Sequence, residues 1–269
     1  MYVASPGLSS LEISALKTIA LLFMLALSAG VVDTIAGGGG LLIVPGLMVA
    51  GLDPVSALAT NKLQAIFGTS SAAVCFWRKG KARVKDQVFP AAIAFGCAFC
   101  GAVSLSYLDP AFLTVAAPIL LITIAFLALF KPDPGDVPRK ARLSLMASSL
   151  TVIPLIGFYD GFFGPGTGAF FAMEGAIFLG LAVDEATIRA KFYNFASNFG
   201  GLVFFSWHGH TSWFYGAIMA VGAIIGGNIG AHLILTHGAR LIRLVLVFVS
   251  LAISIKLLWH HGFLQNLVS

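Results

Sequence analysis

The chain has 269 residues, 58% of them hydrophobic and only 10% charged, with a mean hydropathy of +0.95. A water-soluble domain carries about 25% charged residues, so the composition excludes one and points to an all-α integral membrane protein. The net charge of +5 does not indicate nucleic-acid binding, because the basic residues gather in short loops.

Taken in order, residues 1–10 lack a basic leader and a clear cleavage site. The first apolar run, 18–32, therefore reads as a retained helix rather than a signal peptide. It meets Asp33 and then Gly37, Gly38, Gly39 and Gly40. Glycine weakens a helix and bares peptide groups that lipid cannot satisfy, so such a break belongs inside protein or beside a water-filled cavity. Residues 41–50 are too few to span a ~30 Å hydrocarbon core and read as a half-helix starting from the glycines. Asp53-Pro54 opens the next helix, to about Trp77, which carries Thr60, Asn61, Lys62 and Gln64. The loop 78–85 holds five basic residues in eight positions. Spans at 88–108 and 110–130 follow.

Residues 131–142, KPDPGDVPRKAR, form a basic, proline-rich linker. It divides the chain into two transmembrane repeats, 1–130 and 143–269. The second begins with a helix at 143–159 and a second break holding Asp160, Gly164, Gly166, Thr167 and Gly168. A half-helix at 169–181 and a helix at 184–207 with Lys191, Asn194 and Asn198 come next. Spans at 213–235 and 241–260 close the chain, separated by Thr236-His-Gly-Ala-Arg240. Trp77, Trp207, Trp213 and Trp259 at segment ends fit an interfacial aromatic belt.

The halves align. Asp33, Gly37 and Gly39 match Asp160, Gly164 and Gly166 at an offset of 127, and Leu52, Lys62 and Gly80 match Leu181, Lys191 and Gly209 at 129. Two spans separate the basic loops 78–85 and 131–142, so both lie on one side, the cytoplasm by the positive-inside rule. Residues 206–212, the counterpart of 78–85, have no Lys or Arg and would face outward. The expectation is a helical bundle of two inverted-topology repeats with glycine-broken half-helices and outside termini.

That construction is used for alternating access about a midplane site. Half-helix N-termini carry free N–H groups and about +0.5 charge each, which suits an anion; the other reading of the glycines is close helix packing. Lys62 and Lys191 lie about 14 Å into their helices. They serve either as anion ligands or as structural partners of Asp33 or Asp160. Asn61, Gln64, Asn194 and Asn198 can donate to oxyanion oxygens. Asp33 and Asp160 are the candidates for coupling protons to anion movement. Glu174, whose first-half counterpart is Gly46 or Leu47, is either a lone protonated carboxyl or part of the pathway. Cys97 and Cys100 read as packing residues, and His208 and His210 as turn residues. No cofactor, metal set or Walker motif is expected. Competing readings are a channel or carrier for another small anion or carboxylate, and, from another class, a membrane enzyme using the Cys or His pair.

Gly30-x-x-Asp33-x-x-x-Gly37-Gly-Gly, Ala59-Thr-Asn-Lys62-Leu-Gln64 and Lys191 with Asn194-Phe-Ala-Ser-Asn198 resemble the sulfite exporter TauE/SafE family of bacterial membrane proteins. The resemblance covers nearly the whole chain. It implies a multi-pass permease of the inner membrane for a small sulfur-containing anion, sulfite or an organosulfonate, and no enzyme. Pro165-Gly166-Thr167 departs from the glycine run of the first half, which predicts a stiffer, asymmetric second cradle.

Overall fold

A computed structural model describes residues 10–108 and 138–260, with side chains over 15–108 and 138–237. The expected span 110–130 and most of the linker lie outside the described residues. Everything described is helix or connecting turn. The first half of the chain contributes α1 (Ser10–Ala36), α2 (Gly40–Val49), α3 (Pro54–Arg78) and α4 (Val84–Leu105). The second contributes α5 (Leu145–Phe162), α6 (Thr167–Ile177), α7 (Val183–Trp207) and α8 (Trp213–His260).

Four stretches among the described residues are long and apolar enough to cross a bilayer: Ala15–Ala36, Val84–Leu105, Leu145–Phe162 and Trp213–His237. Helices α3 and α7 have 25 residues each, about 37 Å by helix rise. They are long enough to span, but polar residues reserved for the interior dilute their hydropathy. Large apolar side chains such as Leu21, Met24, Leu155, Val221 and Ile229 lie on the outside, as expected where the solvent is lipid. Trp77, Trp207 and Trp213 are exposed at helix ends; the side chain of Trp259 is outside the described set.

The helix starts follow from local chemistry. Asp53 caps α3, its carboxylate accepting from the N–H groups of Val55 and Ser56 at 3.0 Å, with Pro54 in the first turn. Ser144 caps α5 through the N–H of Ala147. At the breaks, Gly37 (φ 75°) and Gly164 (φ 97°) occupy the left-handed region at matching positions. There the missing Cβ removes the steric penalty.

Several expected boundaries change: α1 starts at Ser10 rather than 18, α4 at Val84 rather than 88, and α6 ends at Ile177 rather than 181. Asp33 and Asp160 lie inside α1 and α5, one turn before the break, because each helix runs on to its left-handed glycine. Helix α8 continues through 236–240, where a turn was expected. A single Gly238 without proline costs a helix only about 1 kcal/mol.

The packing exchanges the repeats. Helix α1 packs most extensively on α8, and α5 on α4. Helix α3 meets α8 as α7 meets α4, while α3 and α7 cross each other. The details repeat too. A Cβ on Gly30 would meet the carbonyl of Ala223 at 3.0 Å, and one on its counterpart Gly157 the carbonyl of Ala94 at 2.9 Å. Small residues thus let the first helix of each half, α1 and α5, press against the other half's α8 and α4.

Candidate substrate site

The two glycine breaks touch. The N–H of Ala169 donates to the carbonyl of Gly37 at 3.3 Å. A Cβ on Gly37 would overlap the backbone of Gly168 and Ala169, and one on Gly40 would lie 3.2 Å from Cα of Pro165. Half-helices α2 and α6 therefore begin at one crossing point. The N–H groups of Gly38, Gly40, Gly166 and Gly168 have no partner among the described residues, the orphan donors that any helix start leaves.

A cavity of about 20 Å³ opens beside the crossing, lined by Asp33, Gly37, Gly39, Gly40, Asn61, Gln64, Gly164, Gly166, Thr167, Gly168, Asn194 and Asn198 among others. That holds about one water, so the cradle is closed in this conformation. Most of the residues expected from the sequence converge here, while Gly38, Lys62, Lys191 and Asp160 are not part of the lining. Thr69 was missed; the repeat offset of 129 could have found it as the counterpart of Asn198.

The amides form two matching pairs. Gln64 donates to the Asn61 side-chain oxygen at 3.0 Å, and Asn198 to that of Asn194 at 2.8 Å. Each second amide fixes its asparagine so that the NH₂ group turns toward a half-helix start. Asn61 Nδ2 lies 3.3 Å from where a Cβ of Gly40 would sit, and Asn194 Nδ2 3.0 Å from that of Gly168. Two side-chain donors thus join the backbone donors, one at each half-helix.

The lysines take the structural alternative. Lys62 Nζ is 2.6 Å from Asp160 Oδ1 and also donates to the Asp160 carbonyl. Lys191 Nζ is 3.2 Å from Asp33 Oδ2 and donates to the Asp33 carbonyl. Each pair joins one repeat to the other. Lys62 and Asp160 are each 1% exposed, whereas the Asp33 side chain keeps 20%. Asp33 also accepts from the N–H of Gly39 at 3.2 Å. Among the described residues Asp160 has no such bond, and its Oδ2 is unpartnered.

The second break is held differently. Gly166 is left-handed (φ 88°) where Gly39 is helical (φ −55°). Tyr159 donates to the carbonyl of Pro165 at 2.7 Å, and Thr167 to that of Gly164 at 2.5 Å. The expected asymmetry of the Pro165-Gly166-Thr167 segment follows from these bonds.

Among the described residues no group of three or more His, Cys, Asp or Glu could hold a metal. Cys97 is half-buried, Cys100 is exposed and neither is bonded to a partner cysteine. His208 packs on Phe204 at a helix end.

The sulfite exporter TauE/SafE family matches residues 22–257 of the chain. The chain is 40% identical over 244 residues to "Probable membrane transporter protein ORF9" of Sinorhizobium sp, covering 91% of this chain and 94% of the relative. It is 41% identical over 242 residues to "Probable membrane transporter protein YfcA" of Escherichia coli (strain K12), covering 90% of each. A Haemophilus influenzae "Probable membrane transporter protein" is 38% identical over 244 residues, with 91% and 96% covered. No solved structure matches the chain. The glycine breaks, the crossed half-helices and the family match over most of the length agree: this chain belongs to the sulfite exporter TauE/SafE family and is a multi-pass membrane transporter.

Proposed function

We propose that this transporter carries a small sulfur-containing anion, sulfite or an organosulfonate, across the cytoplasmic membrane. The oxyanion head is held between the starts of α2 and α6. The observation that carries this reading is the set of unpartnered N–H groups at the crossing, joined by the NH₂ groups of Asn61 and Asn194. Charge supports it. The two Lys–Asp pairs cancel, leaving two half-helix ends at about +0.5 each, which one negative charge neutralises. The sulfur assignment rests on the family.

The exchanged packing of the repeats and the uneven distribution of basic loops support an inverted-topology carrier that alternates about this point. The closed cradle is then one state of the cycle, and the half-helices separate to admit cargo. Proton coupling through Asp33 or Asp160 fits the same frame. Protonating either carboxylate removes the charge that holds Lys191 or Lys62, freeing an ammonium for a second negative charge on the cargo.

The test is electrogenic transport in proteoliposomes given sulfite, sulfoacetate, taurine, sulfate and acetate, with and without a proton gradient. The reading expects a saturable, counterflow-competent response to sulfite or sulfonates that Asn61→Ala and Asn194→Ala weaken. Equal response to every anion, or conduction without saturation, would overturn it.

A further inference from the structure

Glu174 lies in α6, the half-helix that builds the second side of the cradle, yet it is absent from the cavity lining. It is 2% exposed. Ser148 of α5 donates to its Oε1, and its Oε2 is buried with no partner among the described residues. Among the described residues it is the one buried carboxyl without a cation in ion-pair contact; Asp33 and Asp160 each have a lysine.

The groups around it are spoken for. From α7, Arg189 is held by Glu185 at 2.7 Å, with both side chains reaching solvent. Tyr193, also from α7, donates its hydroxyl to Gln87 of α4 at 2.7 Å rather than to Glu174. Asp86, on α4 near that hydroxyl, is exposed. Lys191 of α7 and Asp160 of α5 belong to the cross-repeat pairs. The basic stretch 138–142 is tied to the far end of α6 by backbone bonds from Arg139 to Gly180 and from Arg142 to Phe178. An ionised carboxylate in such surroundings has one hydrogen bond and no counter-ion, a state that buried groups avoid by holding a proton.

We propose that Glu174 is a proton-binding site, loaded in the closed conformation, through which pH acts on α6 and so on one side of the cradle. The proton comes from water at the basic, cytoplasmic end of α6 and returns to it, converting carboxylate to carboxylic acid and back. On losing it, Glu174 needs Arg189 or water. Either demands movement of α6 or release of Arg189 from Glu185, which favours a different position of the half-helix. The matching first-half stretch, Pro45 to Leu47, holds no acid, so the device belongs to the second half-helix. The link to transport rests on the cradle reading; the bound proton does not.

Two readouts keep these apart. The first is the infrared carboxylic C=O stretch of the purified full-length protein at neutral pH. The proposal expects a protonated-carboxyl band that is missing in Glu174→Gln, shifted in Ser148→Ala and retained in Asp33→Asn. No such band in the wild type, or the same band in Glu174→Gln, overturns it. Should Glu174→Gln fail to fold, an unshifted band in Ser148→Ala overturns it equally. The second readout is the pH profile of sulfite-driven transport. Glu174→Gln should flatten the profile with KM changed less than about threefold, and a profile identical to wild type overturns the coupling role. A protein that carries no sulfur anion at all but shows the band would fail the substrate reading while leaving the proton site in place.

Discussion

Lys62 of the first half of the chain pairs with Asp160 of the second at 2.6 Å, and Lys191 of the second pairs with Asp33 of the first at 3.2 Å. The two bridges use matching positions of the two halves, and both cross the boundary between them. They clamp α3 to α5 and α7 to α1 immediately beside the glycine breaks. Removing one partner of a buried pair leaves an uncompensated charge, which typically costs 3–5 kcal/mol. Removing both costs less.

Thermal unfolding in detergent should show this. Lys62→Met is expected to lower stability by about 3–5 kcal/mol, and adding Asp160→Asn should recover most of the loss. Lys191→Met should cost less, because Asp33 is partly exposed and also accepts from Gly39. Equal loss in the single and double variants would show that the pair is not what the lysine contributes.

Gly37 is required twice over. A side chain there faces about 1–2 kcal/mol for a left-handed backbone and would also overlap Gly168 and Ala169. Gly37→Ala should sharply reduce the folded fraction in size-exclusion chromatography. Gly96→Ala, with nothing within 4 Å of the new methyl, should leave it unchanged.

The amides are expected to divide into donors and positioners. Asn61→Ala and Asn194→Ala each remove an NH₂ group aimed at a half-helix start. A hydrogen bond to a charged group is worth about 1.5–3 kcal/mol, so KM for the cargo should rise roughly 10- to 100-fold. Asn198→Ala, acting through Asn194, should raise it less. Thr69→Val should change it little, since the Thr69 hydroxyl donates to the carbonyl of Ala65 at 2.7 Å. Saturation kinetics in proteoliposomes would rank the four.

Asp53 predicts an acid-labile increment outside the membrane-spanning segments. Partial burial pushes its carboxyl up, but bonds from Ser56 and Val55 outweigh that and hold it below the usual carboxylate range. A folded-state value below the unfolded one means the stabilisation is full above the unfolded value, ~3.9. It is lost as pH falls through the folded value. Asp53→Ala should cost about 1 kcal/mol at neutral pH, and the difference from wild type should shrink in acid. A gap that stays constant down to pH 2 would remove the cap from the account.

The membrane architecture and the two glycine breaks were legible in the amino-acid sequence because each depends on local properties. Hydropathy over a span decides burial in lipid, and a glycine run beside Asp33 or Asp160 interrupts a helix whatever surrounds it. The polar residues of α3 and α7 were readable for the same reason: Asn61, Gln64, Asn194 and Asn198 stand out in segments that otherwise face apolar surroundings. Tertiary structure alone decided the partners. Spacing left each lysine open to an anion or to either aspartate, and the choice fell across the two halves: Lys62 reaches Asp160 and Lys191 reaches Asp33. It also turned the NH₂ groups of Asn61 and Asn194 toward the half-helix starts, and among the described residues it left Glu174 without a cation in ion-pair contact. A charge or an amide has no preferred partner until packing brings one within about 3 Å and excludes the water that would otherwise serve.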